Sequence, residues 1–238
     1  MPVVVGCKSV AEEVSDGDLL IVDGKSGIVI LDPDEPMVSR MRQNIAEIES
    51  YKQRARAATQ EASITLDGVE VSIYGNIEFS HEIHHIIEHG GEGVGLYRTE
   101  FQYLTNAAEP TEDELYGEYK EALRLLDGKQ LTIRTLDLGA DKYTQAQAME
   151  PERNPFLGLR SIRYCLQNQP LFRTQLRAIA RASSHGPLRV MFPLITSMNE
   201  LRQAKLIFND VLEEFRESNV PIADEIELGM MVEVPSAA

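Results

Sequence analysis

Three apolar runs in this chain end in groups that could do chemistry. Gly93-Val94-Gly95-Leu96-Tyr97 stops at Arg98-Thr99-Glu100, and Leu131-Thr132-Ile133 stops at Arg134-Thr135-Leu136-Asp137. A third run, Leu228-Gly229-Met230-Met231-Val232, stops at Glu233 just before Val234-Pro235. An unpaired buried charge is costly, so packing alone does not place guanidiniums and carboxylates where buried strands end. Strands that each deliver a polar group at the carboxyl end describe the mouth of a β/α barrel. Arg98, Arg134 and Glu233 converging there would suit a small, multiply charged anion and a divalent cation.

The elements that must position these residues alternate. From Val69 onward, β-rich runs centre near residues 71, 95, 133, 190 and 230, with helical patterns between them. Residues 65–76 hold a strand, a turn at Asp67-Gly68 and a second strand. Helices are expected over 82–88, over 111–126 with Thr111 and Glu114 as a capping box, from Arg160 through 166, over 171–183, and over 197–218 from a Ser cap. Strand–helix alternation of this kind predicts parallel strands joined by helical crossovers. A complete (β/α)8 TIM-type barrel has eight strands, so the expectation over 65–238 is an incomplete α/β barrel of about five.

Upstream, residues 2–6, 19–24 and 27–31 read as strands, with a hairpin connection over 23–27. So few strands have no core of their own, and residues 1–32 read as the end of a domain. Asp32-Pro33-Asp34-Glu35-Pro36 marks a boundary. Residues 33–64 then form a linker helix with Val38, Met41, Ile45 and Ile48 in a narrow apolar stripe. Its basic residues Arg40, Arg42, Lys52, Arg54 and Arg56 read as a solvated face rather than an anion-binding arm.

Composition narrows the partners. The 238 residues carry 23 Lys and Arg against 38 Asp and Glu, a net charge of −15, which argues against nucleic acid and against an anionic membrane surface. No apolar run approaches the roughly 20 residues needed to cross a bilayer, and the first residues lack the basic start and cleavage signal of a secretory peptide. Cys7 and Cys165 are expected to be free thiols in a reducing cytoplasm.

The motifs resemble the enzyme I family of the bacterial sugar phosphotransferase system, the phosphoenolpyruvate–protein phosphotransferases. The resemblance rests on Gly93 to Phe101, Arg134-Thr135-Leu136-Asp137, Gly139-Ala140-Asp141-Lys142, Asn154-Pro155-Phe156-Leu157-Gly158 and Met231-Val232-Glu233. Tyr97 before Arg98 and Phe101 after Glu100 favour this family over pyruvate phosphate dikinase and phosphoenolpyruvate synthase, which stay as alternatives. The resemblance implies that Arg98, Arg134 and Arg160 bind phosphoenolpyruvate and that Glu233 is one of two carboxylates holding Mg2+. It further implies a barrel that carries a homodimer interface, and a swivelling domain whose histidine takes the phosphoryl group and passes it to the histidine phosphocarrier protein. Residues 1–32 match only the last part of that swivelling domain. The phosphohistidine, the second metal carboxylate, a later substrate arginine and the proton-donor cysteine have no counterpart in this sequence. The expectation is an internal slice of enzyme I, inactive alone; a non-catalytic module that binds a partner is the competing reading.

Two further features carry groups able to bind ions. His81, His84, His85 and His89 recur at steps that put several on one helix face, the geometry of a zinc-binding helix. Acids and isoleucines interleave them and Glu233 is far away in sequence, so a hydrated helix face is the favoured reading. Asp141 and Lys142 follow a glycine turn and suit either a phosphate contact or a solvated loop.

Overall fold

A computed structural model describes residues 2–7, 10–58, 62–104, 108–139 and 158–238. The chain divides into two compact units, Met1–Gln60 and Glu61–Ala238.

In the first unit, α1 (Val10–Glu13) precedes an antiparallel hairpin of β1 (Leu20–Asp23) and β2 (Ile28–Leu31), with Leu20 opposite Leu31 and Asp23 opposite Ile28. Asp23 stabilises the turn by accepting the Lys25 N–H at 2.9 Å, and its carboxyl is held below the usual range first by the Ser26 hydroxyl and then by that N–H. The hairpin is where the sequence places it, but residues 2–6 form no strand. Pro2 offers no N–H to a ladder, and Gly6 sits at φ +80°, which breaks the extended run. The helix α2 (Glu35–Ala58) starts where Asp34 accepts the Met37 N–H at 2.9 Å. Of its expected stripe, Val38 is buried while Ile45 and Ile48 are exposed.

The second unit is α/β. Its sheet comprises β3 (Gly75–Ile77), β4 (Gly93–Tyr97), β5 (Gln130–Arg134), β6 (Leu188–Phe192) and β7 (Glu227–Met230), all parallel and in chain order. Among the described residues the helices are α3 (Ile83–Glu88), α4 (Glu100–Leu104), α5 (Glu112–Leu126), α6 (Ser161–Gln167), α7 (Gln169–Ala182) and α8 (Met198–Glu217). Both long crossover helices begin on the caps expected from sequence: Thr111 and Ser197 accept the N–H groups of Glu114 and Glu200, whose carboxylates reach back. The first parallel strand lies at 75–77 rather than near 71. Val69, Val71 and Ile73 are exposed, and the Asp67-Gly68 turn closes only an isolated bridge between Ile64 and Glu70. Gly93, at φ +157°, admits no side chain, because a Cβ there would lie 2.5 Å from the Gln130 carbonyl oxygen of the next strand.

The core lies between sheet and helices. Leu131 and Ile133 of β5, Val190 and Phe192 of β6, Tyr119 and Leu126 of α5, Phe172 and Ile179 of α7, and Phe208 of α8 are all essentially inaccessible. Burying a side chain of this size stabilises by about 1.5–3 kcal/mol. The packing is specific as well as apolar: the Phe172 and Phe192 rings meet edge-on at 6.1 Å. β5 is buried along Leu131–Arg134, so the strand that ends in Arg134 is the best-anchored of the five. Among the described residues no helix is long and apolar enough to cross a membrane, and Cys7 and Cys165 are both free thiols.

Candidate functional site

In a parallel sheet every strand ends at the same edge, and the residues that follow the strands form a rim. Here Glu78 follows β3; Arg98, Thr99 and Glu100 follow β4; Arg134 closes β5; and Met231 and Glu233 follow β7. Glu233 stands three residues beyond the end of its strand, rather than directly at that end as the sequence suggests.

Arg134 is the hub. Its side chain is only 11% exposed, with Nη2 donating to Glu100 Oε1 at 2.8 Å and Nη1 lying 3.0 Å from Asp137 Oδ2. Nη1 also lies 3.6 Å from Met231 Sδ, so one guanidinium ties together the ends of β4, β5 and β7. The Asp137 N–H donates to the same Glu100 oxygen at 3.2 Å. Arg160, at the N-cap of α6, reaches Asp137 Oδ1 with Nη2 at 3.5 Å. Charges so far from water hold only while each has its partner.

Arg98 and Glu233 sit apart from this hub on the same rim. Arg98 pairs with Glu78 rather than with Glu100, in a more exposed setting. Glu233 is exposed and accepts the Leu194 N–H through Oε1 at 2.7 Å. That N–H is presented by a strained backbone, for Leu194 has φ +50°, and Ser161 next to Arg160 has φ +56°. Left-handed backbone at residues other than glycine is uncommon and concentrates at functional sites. The structure therefore brings Arg134 and Arg160 together through Asp137, and places Arg98 and Glu233 on the same rim but after β4 and β7, with β5 and β6 between them. The segment holding Asp141, Lys142 and Asn154 to Leu157 lies outside the described residues.

Beneath the rim runs a buried polar relay that sequence reasoning missed. Gln175 of α7 is inaccessible; its Oε1 accepts the Leu136 N–H at 2.9 Å, and its Nε2 donates to Thr99 Oγ1 at 3.0 Å and to the Tyr119 hydroxyl at 3.3 Å. Thr99 in turn donates to the Arg134 carbonyl at 3.0 Å. The threonine after Arg98 is thus not at the mouth; it locks two strand ends to each other and to a helix. Glu78 was also missed, and neither it nor Gln175 stands in a motif that would mark it.

Local electrostatics keep the scaffold ionised as drawn. Burial works against the Glu200 carboxylate, yet the Thr196 N–H and hydroxyl, the Ser197 N–H and Arg163 together hold its pKa below the ordinary carboxylate value. Glu82 is lowered in the same way: burial opposes its charge, and the N–H groups of Glu78 and Phe79 outweigh it. Burial, followed by the nearby Asp137, pushes the Cys165 thiol well up, so it is a packing residue. A cavity of 330 Å³ opens beside α4 and α5, but Glu78, Glu114 and Glu118 line it, and such a lining disfavours an anion.

The described rim can grip an anion with planar cations and hold a hard cation with carboxylate oxygen. Residues 52–238 match the family model described as PEP-utilising enzyme, PEP-binding domain, where PEP is phosphoenolpyruvate. The whole chain is 44% identical to the phosphoenolpyruvate-protein phosphotransferase of Bacillus sp. (strain S), covering 41% of that protein. It is 43% identical to the protein of that name from Priestia megaterium and 42% identical to that of Staphylococcus aureus (strain MSSA476), covering 42% of each. The chain thus spans about two fifths of the length of these curated relatives. Because the family match takes in most of the sequence, the chain belongs to the PEP-utilising enzymes, through their PEP-binding domain.

Proposed function

We propose that this chain supplies the phosphoenolpyruvate-binding part of a phosphoenolpyruvate–protein phosphotransferase, enzyme I of the sugar phosphotransferase system. The observation that carries the reading is the Arg134 hub: a nearly buried guanidinium at a strand end, shared between two carboxylates from two strands. Arg98 and Arg160 complete a set of three guanidiniums suited to a ligand that carries a carboxylate and a phosphate side by side. The parallel strands run in chain order without the reversal of a doubly wound sheet, and we read them as one sector of a (β/α)8 barrel. Residues 1–32 are taken as the remnant of the swivelling phosphohistidine domain, 33–64 as the linker, and 65–238 as the barrel part.

Charge balance supports a metal-assisted site. Three guanidiniums, Arg98, Arg134 and Arg160, face four carboxylates, Glu78, Glu100, Asp137 and Glu233, so this rim has no surplus of positive charge for a polyanion. The donors fit a hard cation, since Glu233 is exposed and engages only one oxygen with the Leu194 N–H. Glu233 would hold magnesium together with the substrate's own oxygens, and the ion would offset charge on the phosphoryl group. Within this chain, the arginines bind and orient phosphoenolpyruvate, and Glu100 and Asp137 hold Arg134 in place. In the transfer itself, the bond from phosphorus to the enol oxygen breaks and a bond to a histidine nitrogen forms. The resulting enolate takes up a proton to give pyruvate, and the phosphohistidine then serves the histidine phosphocarrier protein. A cytoplasmic homodimer is the assembly this reading carries.

Titration calorimetry with phosphoenolpyruvate and magnesium tests the site. The chain should bind, and Arg98→Ala should lower the affinity by about tenfold or more while the melting temperature stays close to that of the parent, because its ion pair with Glu78 is partly exposed. No binding by the parent chain, or equal binding by Arg98→Ala, would overturn the assignment.

A further inference from the structure

The expected hydrated histidine face contains a cluster more ordered than periodicity alone implies. The ligand atoms of His85, Glu88 and His89 all lie within 4.8 Å of one another. The two imidazole rings are 4.0 Å apart between centroids. His89 Nδ1 lies 2.7 Å from the His85 carbonyl oxygen. A carbonyl can only accept, so Nδ1 is the donor, the proton of a neutral ring is fixed there, and the Nε2 lone pair is available to a ligand. This is the outer hydrogen bond that metal-binding histidines use to set their tautomer and ring orientation.

We propose that His85, Glu88 and His89 form a surface site for a borderline divalent cation such as zinc or nickel, at the end of the sheet opposite the arginine rim. Imidazole nitrogen suits zinc, nickel and copper, whereas magnesium prefers oxygen donors. Three protein ligands leave one tetrahedral position for water or another group. Ligand atoms in such a centre stand about 3.3 Å apart, given metal–ligand bonds near 2.0–2.1 Å. His85 and Glu88 are exposed and can close that difference by rotamer changes without disturbing the core. The backbone beneath is anchored, because Ile83 of the same short helix is fully buried and Ile86 packs against the core. His89 is the C-cap of α3, so an occupied site braces the last turn of that helix just ahead of β4. The neighbouring His84 lies outside the cluster.

Calorimetry with nickel chloride or zinc chloride alone, on chelator-stripped protein in excess magnesium, decides the matter. One equivalent should bind, with His85→Ala and His89→Ala each lowering the affinity by about tenfold or more and His84→Ala leaving it unchanged. Binding should also raise the melting temperature of the parent but not of His85→Ala, a variant at an exposed position where misfolding is not expected. No binding, displacement by magnesium, or an equal loss in His84→Ala would each overturn the site.

Discussion

Two of the places where arginines meet carboxylates in the Glu61–Ala238 unit differ in kind. On the helix faces, Arg173, Arg177 and Arg181 of α7 stand one turn apart and bridge α5 to α8. Arg177 reaches Glu112 at 2.7 Å and Glu214 at 2.9 Å, and Arg181 reaches Glu112 at 2.7 Å and Asp113 at 2.8 Å. The guanidinium of Arg177 lies 4.4 Å over the Phe215 ring, and that of Arg181 lies 4.2 Å over Tyr116. Both guanidinium planes lie over a ring, and each guanidinium is shared between two carboxylates. These arginines hold helices together. At the rim, Arg134 and its acids come from strand ends, are far less exposed, and leave Arg134 Nε without a hydrogen-bond partner among the described residues. The number of arginines therefore says little about binding; what matters is where the backbone sends them and what remains unfilled.

Substitutions can break or sharpen this contrast. The largest effect is expected of Arg134→Ala, which strands Glu100 and Asp137 in a nearly dry setting. It should cost about 3–5 kcal/mol in chemical denaturation and abolish binding of phosphoenolpyruvate. Stability equal to the parent would show that the rim is as well solvated as the helix faces. Gln175→Leu comes next: it leaves the buried Leu136 N–H unpaired, removes the bond that the Thr99 hydroxyl accepts, and should cost about 1–3 kcal/mol. Because Thr99 bonds to the Arg134 carbonyl, calorimetry should also register weaker binding of phosphoenolpyruvate, although Gln175 itself is buried below the rim. An unchanged affinity would reduce the relay to ordinary packing. Arg177→Ala should matter least, at about 1 kcal/mol from partly exposed pairs and one aromatic contact, with binding unaltered. A loss of binding there would erase the distinction between the two regions.

Much of the layout is legible in the sequence because strands and caps are local signals. The apolar runs ending in Arg98 and Arg134, and the caps at Thr111 and Ser197, each depend on a few consecutive residues. The misses are equally physical. Residues 2–6 have strand composition, but Pro2 and the left-handed Gly6 deny them a ladder. The first parallel strand is displaced to 75–77 because alternating valines and isoleucines also fit an exposed segment. Gln175 and Glu78 owe their importance to partners far along the chain, and no spacing rule reaches across 76 residues from Gln175 to Thr99. The partner of Arg98 was likewise hidden: the acid two residues away goes to Arg134, and the glutamate just after the preceding strand takes its place.

The strand order has one more consequence. Since each new strand lies beside the one made just before it, assembly needs no late insertion between finished neighbours. Every loop to be closed spans a single crossover, and since closure cost grows only slowly with loop length, the longer crossovers add little over the shorter ones. A sheet laid down in this way grows from its newest margin, like courses of brick, and the older courses need not be disturbed when another is added.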